Sequence, residues 1–93
     1  MSGQFIASGT IIIGTVATPI YTAKGIGCTF QMFHPSGGKR VTIGDANVTD
    51  NNGWTFKGTN EDTITLNIPP KVTLYGICEA GHTQVINYIV TEF

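Results

Sequence analysis

The chain has 93 residues, of which 12% are charged, and a formal net charge of −1 at neutral pH. This length fits one domain, and the absence of a basic stripe argues against a protein that binds nucleic acid by neutralising phosphates. The charged share is about half of the ~25% usual in soluble domains. Such a composition is typical of a surface covered by a partner, but small β-domains can also show it, and both interpretations stay open.

The sequence has no segment typical of membrane insertion or secretion. Residues 1–6 lack the basic start of a signal peptide, and the isoleucine run at 11–13 is too short for its apolar part. No apolar run approaches the ~20 residues that cross a bilayer. We therefore expect a protein that is made in the cytoplasm and binds no membrane.

Strand patterns occupy the chain from residue 9 onward, and no window of ten residues has helical apolar spacing. Residues 17–21 contain Pro19, which predicts an edge strand or a bend there. The other predicted strands are 9–16, 26–34, 40–44, 54–56, 63–68, 71–78 and 83–92. Clusters of Gly, Pro, Asn and Asp separate these strands and predict turns.

Alternation within the predicted strands indicates which side chains face a core. Phe33 is apolar but does not lie on the inward face of its predicted strand. We therefore expect it to contact a neighbour or a second core layer. The predicted inward residues are Cys28, Phe30, Met32, Val41, Ile43, Ile64, Leu66, Ile68, Ile86, Tyr88 and Val90.

About eight short strands predict an all-β fold, a single antiparallel β-sandwich or small barrel that is jelly-roll-like. Residues 1–8 have little strand pattern, and we expect them to form a flexible N-terminal arm. The sandwich domain is predicted to span residues 9–93.

No group of residues has the pattern of a catalytic or metal site. His34 and His82 flank turns, and no nucleophile can be assigned to either. The segment 45–53 is rich in oxygen ligands but lacks the EF-hand spacing, and its Asn and Asp residues favour turns. We predict no enzyme activity, no cofactor and no bound metal.

The two cysteines, Cys28 and Cys78, each lie in an apolar strand-like run. Free cysteine behaves as a small hydrophobe, so we favour buried free thiols. A disulfide between them stays open at this point, because its geometry cannot be read from sequence.

Several segments, in order, resemble a family of small virion proteins of tailed bacteriophages. Residues 9–20 (GTIIIGTVATPI) are similar to the family's opening Thr/Val strand and its Ala-Thr-Pro bend. Residues 41–49 (VTIGDANVT) and the Asn-Gly-Trp at 52–54 resemble the middle of the family pattern. Residues 62–66 (DTITL) and 74–78 (LYGIC) resemble its closing strand pair.

The resemblance implies a structural role in a virion, as a capsid decoration (cement) protein or as a tail, baseplate or fibre-attachment domain. It further implies a homotrimer that binds the major capsid protein or another virion protein. If the arm contacts the capsid, Phe5 and Ile6 are its predicted anchors; an arm that is merely disordered is the open alternative. Phe33 and Trp54 are further predicted partner-binding residues. A small carbohydrate-binding module is an alternative, with a stacking platform formed by Trp54, Tyr21, Tyr75 or Tyr88. Trp54 also fits a core or interface position.

Overall fold

The computed structural model describes residues 5–34, 38–56 and 62–93. These residues contain strands and no helix, as predicted. The strands are β1 (Phe5–Ile13), β2 (Thr18–Thr22), β3 (Cys28–His34), β4 (Val41–Gly44), β5 (Trp54–Phe56), β6 (Asp62–Ile68), β7 (Thr73–Cys78) and β8 (Gln84–Glu92).

The strands form two four-stranded antiparallel sheets with the orders β1-β8-β3-β6 and β2-β7-β4-β5. Apart from β4 and β5, consecutive strands lie in opposite sheets. This order is that of an eight-stranded jelly roll, in which two Greek keys wrap around one core. The predicted jelly-roll-like sandwich is confirmed.

The core lies between the sheets and contains one face of each strand. In β7 every second residue is buried, and Phe30 of β3 is fully buried. The ring of Phe30 stacks on Tyr88 of β8 with centroids 5.4 Å apart. Of the residues predicted to face inward, Ile64, Leu66 and Tyr88 are partly buried and the others are buried.

The prediction of a flexible arm over residues 1–8 is wrong for residues 5–8. Strand β1 begins at Phe5, which lies opposite Glu92, and the pairing with β8 continues without a break to Ile13. The local pattern of residues 5–8 is weak, but β8 offers a ladder of backbone hydrogen bonds along its whole length. Residues 1–4 lie outside the described part of the chain.

Pro19 lies in β2, which is an edge strand, as the sequence predicts. The pairing between β2 and β7 shifts register between Pro19 and Tyr21. A proline has no N–H to donate, so an edge position with a local bulge accommodates it without loss of a ladder hydrogen bond.

Cys28 and Cys78 are buried free thiols, as predicted. Cys28 lies opposite Glu92, at the end of the sandwich where β1 begins. The amide of Cys78 donates a 2.7 Å hydrogen bond to the carbonyl of Gly14, just beyond the point where β1 ends. The thiols are therefore separated by the length of β1 and cannot pair within one chain.

Candidate functional site

The outward side chains of the sheet β1-β8-β3-β6 form a surface that we call the outer face. Register and alternation place its members in four strands, and none of these described residues is charged. The members are Ile6, Ser8, Thr10, Ile12, Val85, Asn87, Ile89, Thr91, Thr29, Gln31, Phe33, Thr63, Thr65 and Asn67.

Large apolar side chains are exposed on this face. Ile6 is 69% exposed and Ile12 is 63% exposed, both on β1. Val85 and Ile89 of β8 and Phe33 of β3 are exposed to a lesser degree. Scattered exposed apolar residues are normal, but here five share one sheet face without a charge among them, which is typical of a binding surface.

Six polar residues of the outer face form three hydrogen-bonded pairs. Thr10 donates a 2.9 Å hydrogen bond to Oδ1 of Asn87, and Thr29 donates one of 3.1 Å to Asn67. Gln31 likewise donates a 3.2 Å hydrogen bond to Thr65. Polar groups with partners of their own lose less when water is removed. The outer face can therefore be covered by another protein at a low desolvation cost.

A shallow cavity of about 350 Å³ lies on the outer face beside Phe33. Ile89 and Asn87 of β8 and Thr63 of β6 contribute to its lining. A protruding apolar side chain of a partner fits such a depression better than it fits a flat sheet.

The four predicted partner-binding residues do not form one site. Ile6 and Phe33 both lie on the outer face, separated by β8. Phe5 has a backbone position in β1, and its side chain lies outside the described part. Trp54 lies in β5, on the edge of the other sheet.

Sequence reasoning missed Ile12, Val85 and Ile89 as members of the outer face. Strand β8 is apolar on both of its faces, because Val85 and Ile89 alternate with the buried Ile86 and Val90. A strand of an antiparallel sheet that is apolar on both faces indicates that both are covered. This signal was present in the sequence.

Trp54 borders an apolar groove between the two sheets, with a volume of about 390 Å³. Strand β5 has only three residues, so it leaves this edge of the core open. Trp54 is 63% exposed and is therefore not a core residue. The groove is lined by Ile43, Gly44, Trp54, Ile64, Thr65, Leu66 and Leu74.

The segment 45–53 folds into turns that use its own oxygen atoms. Oδ1 of Asp45 accepts a 2.9 Å hydrogen bond from the amide of Asn47, and Oδ1 of Asn52 accepts one of 2.7 Å from the amide of Thr49. Among the described residues, no three acidic, cysteine or histidine side chains are grouped to hold a metal. These hydrogen bonds explain the Asx-rich composition as turn chemistry.

An ion pair fixes the same segment to the sheet. Nε of Arg40 donates a 3.1 Å hydrogen bond to Oδ1 of Asp50, and a second guanidinium nitrogen contacts Oδ2. This hydrogen bond and the charge of the guanidinium hold the pKa of the Asp50 carboxyl below its usual value. Both side chains are partly exposed, so the pair orients the segment more than it stabilises the fold.

Glu92 is a buried carboxylate with 1% exposure. Its oxygens accept hydrogen bonds from Tyr21 and from the backbone amides of Lys24 and Gly25. Burial opposes ionisation, but these hydrogen bonds outweigh it and hold the pKa of Glu92 below its usual value. The carboxylate thereby links β2 and the segment after it to the end of β8.

Neither known protein families nor curated proteins match this chain. A solved structure of Bacillus endospore appendages, described as disulfide-linked pili, contains a chain with 11% identity and a TM-score of 0.45. The alignment covers 96% of this chain and 88% of that chain. A likeness at this level carries no argument about function. Within the described residues, no helix has the length and apolar character to cross a membrane.

Proposed function

We propose that this protein is a structural component of a tailed-phage particle and that it catalyses no reaction. The most specific form of this proposal is a capsid decoration protein that binds and stabilises the capsid surface. The observation that supports this proposal is the outer face, where exposed apolar residues and paired polar residues occur together without a charge.

The outer face favours binding through apolar contact rather than through ion pairs. Burial of apolar surface contributes roughly 25 cal/mol per Å², and the three polar pairs of the face keep their hydrogen bonds when water leaves. Binding of this kind changes little with salt, because no charge pair is screened. A sandwich that presents a broad neutral face suits a partner that offers a broad apolar surface.

The test is the copy number of the chain in purified particles of its source virus, measured by quantitative mass spectrometry. A number comparable to that of the major capsid protein supports decoration of the whole capsid. A small fraction of that number supports the tail, baseplate or fibre-attachment alternative. Absence from the particles overturns the virion proposal. The homotrimer that the resemblance implies is untested, and it is the alternative to the dimer that the oligomeric state decides below.

A pair of variants connects this test to the outer face. Ile89→Lys places a charge at the centre of the face and is expected to reduce incorporation into particles at least tenfold. Asn51→Lys places the same charge on an exposed turn away from the face and is expected to incorporate normally. Equal incorporation of both variants would show that another surface makes the contact.

A second candidate function is carbohydrate binding, and the exposure of Trp54 favours it. An exposed indole beside an apolar groove can stack on a sugar ring. Loss of binding on a glycan array by folded Trp54→Ala, with binding kept by Ile89→Lys, would support this candidate. Wild-type protein that binds no glycan would exclude it.

A further inference from the structure

The two sheets have four edge strands, and three of them differ from β1 in length or composition. Strand β2 contains Pro19 and a register shift, and β5 has three residues. Strand β6 begins at Asp62 and has seven residues. Strand β1 has nine residues without a charge or a proline. Natural proteins protect edges with prolines, bulges, charges or short strands, and β1 uses none of these.

The free edge of β1 can therefore pair with a further strand. Among the described strands it pairs only with β8, which leaves the backbone groups of its other edge directed away from the sheet. A second strand added there would continue the hydrogen-bond ladder. The residues of β1 indicate which strand pairs with this edge.

We infer that β1 pairs with β1 of a second copy, antiparallel and about a two-fold axis at Gly9. The two β1-β8-β3-β6 sheets then join into one sheet of eight strands. This inference rests on the composition and register of β1 and not on the proposed function.

The residue pattern of β1 is complementary to itself about Gly9. On the outer face, Ile6 of one copy lies opposite Ile12 of the other, and the two-fold axis repeats the pair. Between these pairs, Ser8 lies opposite Thr10. On the core side, Ala7 lies opposite Ile11, which is partly buried in the single chain. Cross-strand pairs of like character stabilise a sheet.

Other registers lose this complementarity. A shift of the pairing by two residues puts Ile6 opposite Thr10, or Ile12 opposite Ser8. One outward isoleucine of each chain then faces a hydroxyl, and the other has no partner within β1. A register that pairs Ile6 with its own copy overlaps only the start of the strand. The register centred on Gly9 is the one that combines full overlap with isoleucine opposite isoleucine.

The charge distribution permits the two-fold contact. Any charged residue near a two-fold axis would face its own copy and be repelled. Strand β1 has none, and the outward residues of β8 beside it, from Val85 to Thr91, are uncharged as well.

The available area is sufficient for a specific dimer. A strand of nine residues is roughly 30 Å long, and the sandwich is 17 Å across its thinnest dimension. Pairing along this side buries on the order of 1,000 Å² in total, which is the lower bound for a specific interface.

The first experiment measures the oligomeric state by analytical ultracentrifugation. Wild-type protein is expected to form a dimer. Ile6→Lys/Ile12→Lys puts lysine opposite lysine at both ends of the pairing and should weaken the dimer at least tenfold. Ile6→Lys/Ile12→Glu puts lysine opposite glutamate and should restore it. The matched control Thr63→Lys/Asn67→Lys, on the β6 edge of the same sheet, should leave the dimer intact.

A second experiment tests the register without disturbing the fold. Chains carrying Ser8→Cys are mixed with chains carrying Thr10→Cys and treated with a short bismaleimide. Opposite positions in a sheet have Cβ atoms about 5 Å apart, so the mixture should crosslink faster than either variant alone. The native thiols are buried and do not compete.

Three outcomes overturn the inference. The first is a wild-type monomer at all concentrations tested, and the second is a trimer, which would support the phage resemblance instead. The third is a dimer that survives the double lysine substitution and shows no preference in crosslinking.

Discussion

Tyr21 donates a 2.6 Å hydrogen bond to the carboxylate of Glu92 and so connects the edge strand of one sheet to an inner strand of the other. The amides of Lys24 and Gly25 donate to the same carboxylate. The segment between β2 and β3 is thereby held to the end of the sandwich by one buried charge. Such a charge stabilises the fold only while enough hydrogen-bond donors remain to offset its burial.

Protonation of Glu92 is expected to lower stability in acid. Its pKa is below the usual 4.5 in the folded protein, so its contribution is present above that pH and is lost as pH falls through the lower, folded value. Glu92→Gln should cost about 2 kcal/mol at pH 7. The difference from wild type should narrow by pH 3, as measured by urea denaturation at both pH values.

Tyr21→Phe is the matched control for Glu92→Gln, because it removes one hydroxyl donor and leaves the carboxylate and its amide donors in place. It should destabilise the protein less than Glu92→Gln at pH 7. A Glu92→Gln variant with wild-type stability at pH 7 would show that the charge contributes nothing.

Both native thiols are expected to resist modification in the folded protein. Burial raises the pKa of Cys28 and of Cys78, and thiolates are the reactive species. Ellman's reagent should therefore react with neither thiol until urea unfolds the chain. Asn51→Cys, in an exposed turn, should add one fast-reacting thiol. Rapid reaction of wild-type protein would mean that one end of the sandwich opens readily.

Gly53 and Gly81 both have a positive φ. Substituting each by alanine compares the cost of backbone strain with the added cost of a steric clash. A Cβ at Gly53 would lie 2.5 Å from the carbonyl oxygen of Ile43, whereas a Cβ at Gly81 would meet nothing within 4 Å. Gly81→Ala should cost about 1 kcal/mol from its left-handed backbone alone. Gly53→Ala should cost roughly 2 kcal/mol more. Equal melting temperatures for the two variants would contradict this expectation.

Phe30 and Phe33 lie on opposite faces of the same strand, and their substitutions should differ accordingly. Phe30 is fully buried, so Phe30→Ala is expected to cost about 4 kcal/mol. Phe33 is 37% exposed on the outer face, so Phe33→Ala should cost under about 1 kcal/mol. Chemical denaturation measures both, and a large loss for Phe33→Ala would place it in the core instead.

Local patterns were sufficient to predict the strands and most of the core. In β3, for example, the alternation of Cys28, Phe30 and Met32 identifies the buried face correctly. The start of β1 could not be predicted in this way, because residues 5–8 become a strand only through pairing with β8, far along the chain. The pattern of residues 5–8 does not indicate that β8 pairs with them.

The position of Trp54 shows a second limit of local reasoning. The sequence Trp-Thr-Phe predicts two aromatic side chains on the same side of a strand, and Phe56 is indeed buried. Trp54 remains exposed because β5 pairs with β4 for only three residues and lies at a sheet edge. Burial at a sheet edge depends on how far the neighbouring layer extends, and a residue pattern does not encode that distance.

The position of β8 between β1 and β3 determines when this chain can fold. Strand β8 is translated last among the described strands, after both of its neighbours in the sheet, β1 and β3. Until β8 leaves the exit tunnel, β1 has no partner in its sheet, and β3 has only β6. Folding must therefore follow translation of the strand region, and it must close long loops, which slows β-proteins to milliseconds or longer. During that delay the apolar strands are open to chaperones and to one another.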